Sequence, residues 1–152
     1  MKLALLAVVI ALPLAAQTAG KVEVFSASNI KTQLTSMAPK AMATGGSTAT
    51  VGEYPSHLIM FSQRTANGGG EVHQHRTDIM IVQQGTATLV TGGTLIDPHT
   101  ESEGELRGTG IKDGQSQTIT VGDIVQVPAG TPHQLQVAAG MTYSAVVIKV
   151  KE

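Results

Sequence analysis

The chain reads GGGEVHQHRTDIMIVQQG over residues 68–85 and GDIVQVPAGTPH over residues 122–133. In an extended strand the side chains of residues i and i+2 leave the same face, so the spacing predicts that His73 and His75 point into one space. Proline and glycine in the second stretch favour a tight turn that places His133 where the chain re-enters a strand. Neutral imidazole is a common ligand of transition metals, so these three histidines are candidate metal ligands.

The hydrophobic pattern from about residue 55 onward has a period of two, with glycine in most connections. It predicts strands over residues 57–63, 71–76, 79–83, 87–91, 117–121, 124–127, 134–137 and 142–150. Many short strands at near-regular spacing indicate an antiparallel sandwich or barrel. The polar stretch 97–116 predicts a loop over one end of it.

Residues 1–16 begin with Met-Lys, continue as a short apolar run and end in small residues, which is typical of a secretory signal peptide. The run is shorter than the about 20 apolar residues that span a bilayer. We predict cleavage after Ala16, or as late as Ala19, and an exported protein that is periplasmic or secreted. A buried first helix is the alternative interpretation.

The remaining chain is short enough for a single domain, since the whole sequence has 152 residues. We divide it into an N-terminal helix and linker over residues 17–50 and a barrel over residues 51–152. Ser28 is the predicted cap of a short helix that ends before Pro39. Residues 40–50 then predict a flexible link.

Composition excludes several classes of function. The formal net charge is −1 and aromatic residues make up 3% of the chain, so the sequence predicts no nucleic-acid partner. There is no cysteine, which excludes disulfides, thiolate catalysis, zinc-finger chemistry and a lipid anchor on cysteine. After signal cleavage we expect no membrane association.

The two quoted stretches resemble the paired motifs of the cupin superfamily. The matching positions are Gly68, His73, His75 and Gly85 in the first motif and Gly122, Pro128, Gly130 and His133 in the second. The resemblance covers roughly residues 55–150. It implies an all-β, single-domain jelly-roll barrel with a short N-terminal helix and one divalent metal inside it. It also implies a homodimer that pairs through an edge strand or a swapped N-terminal segment.

The fourth ligand is where this sequence departs from the family pattern. Counting back seven residues from Gly85 reaches Asp78, where the family has glutamate. In an unbroken strand from His75, Asp78 would face outward, and it turns inward only if a bulge or turn near residues 76–77 resets the register. Asp78 is therefore either a fourth ligand beside His73, His75 and His133, or a surface residue that pairs with Arg76.

Other ionisable residues near the motifs are weaker candidates for the metal site. Glu71 shares the predicted face of His73 and is a candidate for orienting the ligands. We interpret His57 and His99 as non-ligands. The glutamates of the polar stretch predict a solvated loop; these are Glu101, Glu103 and Glu105.

A site of two or three histidines and at most one carboxylate leaves metal positions open for water or substrate. Such a ligand set suits Fe, Mn, Ni, Cu or Zn and does not choose among them. The first functional hypothesis is a metal-dependent enzyme that acts on a small oxygenated molecule, dioxygenase-like first, then lyase, isomerase or decarboxylase. The alternative is a non-catalytic protein that binds a metal or small ligand.

Overall fold

The computed structural model describes residues 20–152, so the predicted signal peptide over residues 1–16 lies outside it. In this part of the chain one helix is followed by thirteen strands: α1 (Ala27–Thr44), β1 (Gly46–Glu53), β2 (His57–Arg64), β3 (Gly70–His73), β4 (Arg76–Gln84), β5 (Thr86–Thr91), β6 (Thr94–Ile96), β7 (His99–Ser102), β8 (Glu105–Gly108), β9 (Gly110–Lys112), β10 (Gln115–Thr120), β11 (Ile124–Val127), β12 (His133–Gln136) and β13 (Tyr143–Lys151). None of the helical structure described is long and apolar enough to cross a membrane.

The strands form two antiparallel sheets that pack face to face. One sheet has the order β1-β2-β13-β4-β11 and the other the order β10-β5-β12-β3-β8-β7, while β6 and β9 pair separately. The predicted all-β barrel with an N-terminal helix is confirmed.

Alternate side chains fill the space between the sheets. On the five-stranded sheet Met80 lies opposite Val147 and Val125, and these side chains pack with Leu89 and Leu135 of the other sheet. Burial of each such aliphatic side chain contributes about 1.5–3 kcal/mol. The apolar layer fills one part of the barrel, and farther along several of these strands the inward side chains become polar.

Helix α1 covers the outer face of the five-stranded sheet. Ser26, rather than the predicted Ser28, caps the helix by accepting a hydrogen bond from the backbone N–H of Asn29 at 3.2 Å. Leu34 and Met37 pack on Phe61 and Val146. The barrel thus has a second apolar layer on the outside of one sheet.

The predicted linker over residues 40–50 is not a linker. The helix continues through Pro39 to Thr44, and the chain enters strand β1 at Gly46. A proline inside a helix costs about 3 kcal/mol, which is why the sequence favoured a stop there. Tertiary contacts offset that cost, because Ala41 is fully buried and its carbonyl accepts a hydrogen bond from Thr65 Oγ1 at 2.7 Å.

The predicted loop over residues 97–116 is also structured. Strands β7 and β8 form a hairpin, and β8 pairs with β3 over four residues. Strand β9 pairs with β6. The polar composition of the hairpin reflects its place at the sheet edge and over the site described below.

Gly85 links β4 to β5 in a conformation that favours glycine. Its φ is +74°, and a Cβ at this position would lie 2.0 Å from the backbone oxygen of Thr142. Gly92 has nearly the same φ, +73°, but no atom within 4 Å of a Cβ. The two glycines therefore separate the cost of the backbone angle from the cost of a clash.

We expect Gly92→Ala to lower the free energy of unfolding by about 1–2 kcal/mol, the cost of a left-handed conformation. Gly85→Ala should lower it by about 4 kcal/mol or more, because the backbone of Thr142 must also move. Urea unfolding of both variants measures the difference. Equal losses in the two variants would contradict the close approach at Gly85.

Candidate metal centre

Three donor groups of the six-stranded sheet converge inside the barrel. Glu71 and His73 lie two residues apart on β3 and share a face, and His133 on β12 lies directly opposite Glu71. One ligand atom of each lies within 4.8 Å of the others. Both imidazoles are 3% exposed, with ring centroids 5.2 Å apart. The turn that contains the prolines places His133 at the first residue of its strand, as the sequence indicates.

Asp78 reaches the same point from the five-stranded sheet. Its Oδ2 lies 3.5 Å from His73 Nε2 and 3.8 Å from His133 Nε2, and the residue is buried. The register is reset between β3 and β4 by a turn at residues 74–75. Asp78 therefore faces inward, and the alternative of a surface aspartate paired with Arg76 does not hold.

His75 lies apart from this cluster, which corrects the expectation that His73 and His75 share a face. Strand β3 ends at His73, and His75 is an exposed residue of the turn, with its ring against Gly104. The backbone N–H of Gln74 donates to the carbonyl of Gly104 at 2.8 Å, which fixes the turn. The i, i+2 rule failed because it applies only within an unbroken strand.

Lys149 is a further member of the cluster, and the sequence motifs did not predict it. It lies opposite Asp78 in the pairing of β13 with β4, and its Nζ donates to Oδ2 at 2.7 Å and to Oδ1 at 2.9 Å. The same Nζ lies 2.7 Å from Nε2 of His73. The alternation of side chains along β13 indicates that Lys149 faces inward, since Ala145 and Val147 face inward and Lys149 is the next residue on that face.

An outer layer of charged residues comes from the β7–β8 hairpin. Glu105 lies opposite His73, and its Oε2 is 2.5 Å from His73 Nδ1. Arg107 lies opposite Glu71, with Nη1 3.3 Å from Glu71 Oε2 and Nη2 3.4 Å from Glu105 Oε2. The prediction of a solvated loop is therefore wrong for Glu105, and the alternation of ELRG at 105–108 is the pattern that indicates a shared face for Glu105 and Arg107.

These contacts fix which nitrogen of each ring faces the centre. Nδ1–H of His73 donates a hydrogen bond to Glu105, and Nδ1–H of His133 donates one to the carbonyl oxygen of Thr131 at 3.0 Å. With Nδ1 protonated, the neutral ring carries its lone pair on Nε2. Both Nε2 atoms lie on the side of Glu71 and Asp78.

The carboxylates at the centre are held in their ionised form. Burial by itself would raise the pKa of Glu71, but the nearby His133, followed by His73 and Lys149, lowers it to about 2. Burial likewise acts to raise the pKa of Asp78, and contacts with His73 and Lys149 bring it below its usual value. Burial acts to lower the pKa of His73, but contacts with Asp78 and Glu71 outweigh burial and the charge of Lys149 and raise it. Ionised carboxylates and neutral imidazoles are the forms that bind a metal, so a metal competes with a proton at His73.

The chain matches no protein-family model and no curated protein sequence. Solved structures do match it. The cupin domain of Schizosaccharomyces pombe Cnp3 aligns with a TM-score of 0.51 at 11% identity, over 70% of this chain and 61% of that one. The DMSP lyase DddQ from Ruegeria pomeroyi aligns with a TM-score of 0.53 at 15% identity, over 72% of this chain and 49% of the lyase.

A third match covers more of its own length. KdgF from a Halomonas species aligns with a TM-score of 0.51 at 14% identity, over 72% of this chain and 83% of that protein. At such identities the likeness is one of backbone architecture. The fold expected from the two motifs is thereby confirmed, and the chain has the fold of the cupins.

Proposed function

We propose that this protein is an exported cupin that binds one divalent transition metal and uses it to act on a small oxygenated molecule. The observation that carries the proposal is the convergence of Glu71, His73 and His133, joined by Asp78, in the barrel interior. His75, a ligand in the sequence prediction, is replaced in this proposal by Glu71.

The distances support a metal after small movements. Glu71 lies 3.5 Å from His133 Nε2 and 3.7 Å from His73 Nε2. Neighbouring ligands at about 2.0–2.2 Å from an ion lie roughly 3.0–3.5 Å from one another, and the donor atoms here lie within 4.8 Å of one another, so a bound ion would draw them closer together. Two imidazoles and two carboxylates suit Fe, Mn, Ni, Cu or Zn.

The charged groups around the centre balance the charge of a divalent ion. Glu71, Asp78 and Glu105 supply three negative charges, and Arg107 and Lys149 supply two positive ones. Glu101, whose Oε2 lies 3.0 Å from Arg107 Nε, adds a fourth negative charge, so the sum is −2 with neutral histidines and becomes 0 when a divalent ion binds. A carboxylate or enolate oxygen would be a suitable ligand for an open position of the ion.

We propose oxygenase as the reaction class, with lyase or isomerase as alternatives. A bound divalent metal supplies Lewis acidity, and a redox-active one also supplies electron transfer. Glu71, Asp78, His73 and His133 hold the ion, while Glu105 and Arg107 keep His73 and Glu71 oriented. The lyase among the structural matches supports an enzyme on this fold, although one fold hosts many activities.

The metal proposal is tested with full-length protein that is purified without a histidine tag. We expect one divalent transition metal per chain in the wild type by elemental analysis, and loss of most of it in His73→Ala and His133→Ala. His75→Ala is the matched control, since this neighbouring histidine is exposed, and it should keep the metal. Metal loss in His75→Ala alone would overturn the assignment.

Glu105→Gln tests the outer layer. The amide oxygen of glutamine can still accept the hydrogen bond from Nδ1–H but carries no negative charge, so we expect metal affinity to fall by about 10- to 100-fold, the usual effect of losing such a partner. Glu103→Gln, a change in the exposed turn of the same hairpin, should leave the affinity unaltered. Competition with a chromophoric chelator measures both, and equal affinities in the two variants would argue against the role of Glu105.

Turnover separates the enzyme from the alternative of a non-catalytic protein that captures a metal or small ligand. We expect oxygen uptake, or loss of substrate without it for a lyase or isomerase, when metal-loaded protein meets small carboxylates and enolisable carbonyl compounds. Metal binding without turnover of these classes would favour capture.

Export and pairing are further parts of the proposal. The apolar run of residues 1–16 supports export to the periplasm or the medium. The exposed apolar side chains Val22 and Val24, which precede the helix, support a homodimer that buries this segment. Sizing chromatography of the mature chain distinguishes a dimer from a monomer.

A further inference from the structure

We propose that the ammonium group of Lys149 is a built-in cation of the metal-free centre, and that a metal binds by displacing it from His73. The inference rests on the proposed metal site and goes beyond it. It assigns to one residue of this chain the role of competing with the metal.

The position of Lys149 is set by the backbone. Its Cα pairs with that of Asp78 across β13 and β4, so both side chains leave the same face of the sheet and enter the barrel. The side chain of Lys149 is 14% exposed, and its Nζ has three polar contacts within 3.0 Å: two carboxylate oxygens of Asp78 and Nε2 of His73.

The lone pair of His73 can serve one partner at a time. Nδ1–H donates a hydrogen bond to Glu105, so the neutral ring has a single lone pair, on Nε2. That lone pair accepts a hydrogen bond from Nζ of Lys149 at 2.7 Å. A metal on His73 needs the same lone pair along the same direction, so the ammonium must leave Nε2 before the ion binds.

Electrostatic repulsion also opposes the binding of a metal beside Lys149. Without a cation, the buried carboxylates of Glu71 and Asp78 would share one small space and repel each other. Lys149 neutralises part of this repulsion in the metal-free protein, and its charge then opposes a divalent ion a few ångströms away. Lys149 therefore stabilises the empty centre and weakens the binding of the metal.

Lys151 supplies a matched control on the same strand. It is exposed, and its Nζ contacts the backbone oxygen of Tyr54 at 3.4 Å, outside the cluster. Removing its charge changes the net charge of the chain by the same amount as removing that of Lys149. A difference between the two variants thus reports position and not overall charge.

The test compares wild type, Lys149→Leu, Lys149→Gln and Lys151→Leu after the metal has been stripped with a chelator. Zinc affinity is measured by competition with a chromophoric chelator, and thermal unfolding is followed with and without zinc. We expect both Lys149 variants to bind zinc roughly tenfold more tightly or better, since a nearby like charge is gone. Their metal-free forms should unfold at lower temperature, and zinc should raise that temperature more than in the wild type.

The outcomes separate this inference from the metal proposal. Zinc binding of equal strength in wild type and both Lys149 variants would overturn the competition and leave the metal site intact. Binding by the Lys149 variants alone would support the competition and overturn metal binding by the wild type. Absence of binding in every variant would overturn both, and a gain in Lys151→Leu equal to that in Lys149→Leu would reduce the effect to net charge.

Discussion

The two-residue turn at residues 74–75 is the constraint on which the site depends. It ends β3 at His73 and starts β4 at Arg76, so the chain passes from the six-stranded sheet to the five-stranded one within two residues. Residues that are close in sequence thereby face each other across the barrel. The turn is held at both ends, by the hydrogen bond from Gln74 N–H to the carbonyl of Gly104 at 2.8 Å and by that from Glu152 N–H to the carbonyl of His75 at 3.1 Å.

Burial of a cluster of charged groups lowers the free energy of unfolding unless other interactions offset it. Charged groups lose hydration when they are buried, and their mutual attraction often does no more than offset that loss. A barrel that needed only stability could continue the apolar layer of Met80 and Val147 to this end. The chain instead places Glu71, Asp78 and Lys149 there, with pKa values of both carboxylates below their usual range. Perturbed ionisable groups of this density are typical of functional sites, which favours a chemical role over a structural one.

The sequence predicted the parts of the fold and site that depend on local pattern. Strand alternation predicted the barrel, and the spacing of the second motif placed His133 in the interior. Asp78 needed a break in the strand, which the sequence allowed but could not locate; the break falls on His75 and removes it from the site. Contacts that depend on strand pairing could not be predicted from the sequence. Glu105 faces His73 and Lys149 faces Asp78 only because β8 pairs with β3 and β13 pairs with β4, and one sequence does not reveal those registers.

The hairpin of β7 and β8 shows why the chain between the two motifs cannot be treated as a spacer. Its polar composition is that of a surface loop, and Glu101 at its far side is indeed exposed. Yet the hairpin delivers the carboxylate that sets the tautomer of His73 and the guanidinium that pairs with Glu71. The inner donors come from the motif strands and the Asp78–Lys149 pair, but the protonation and orientation of those donors are set from this inserted segment. In the proposed metal site, binding of the ion therefore depends on the hairpin as much as on the histidines, because a side chain binds a metal only in the protonation state and direction that its neighbours impose.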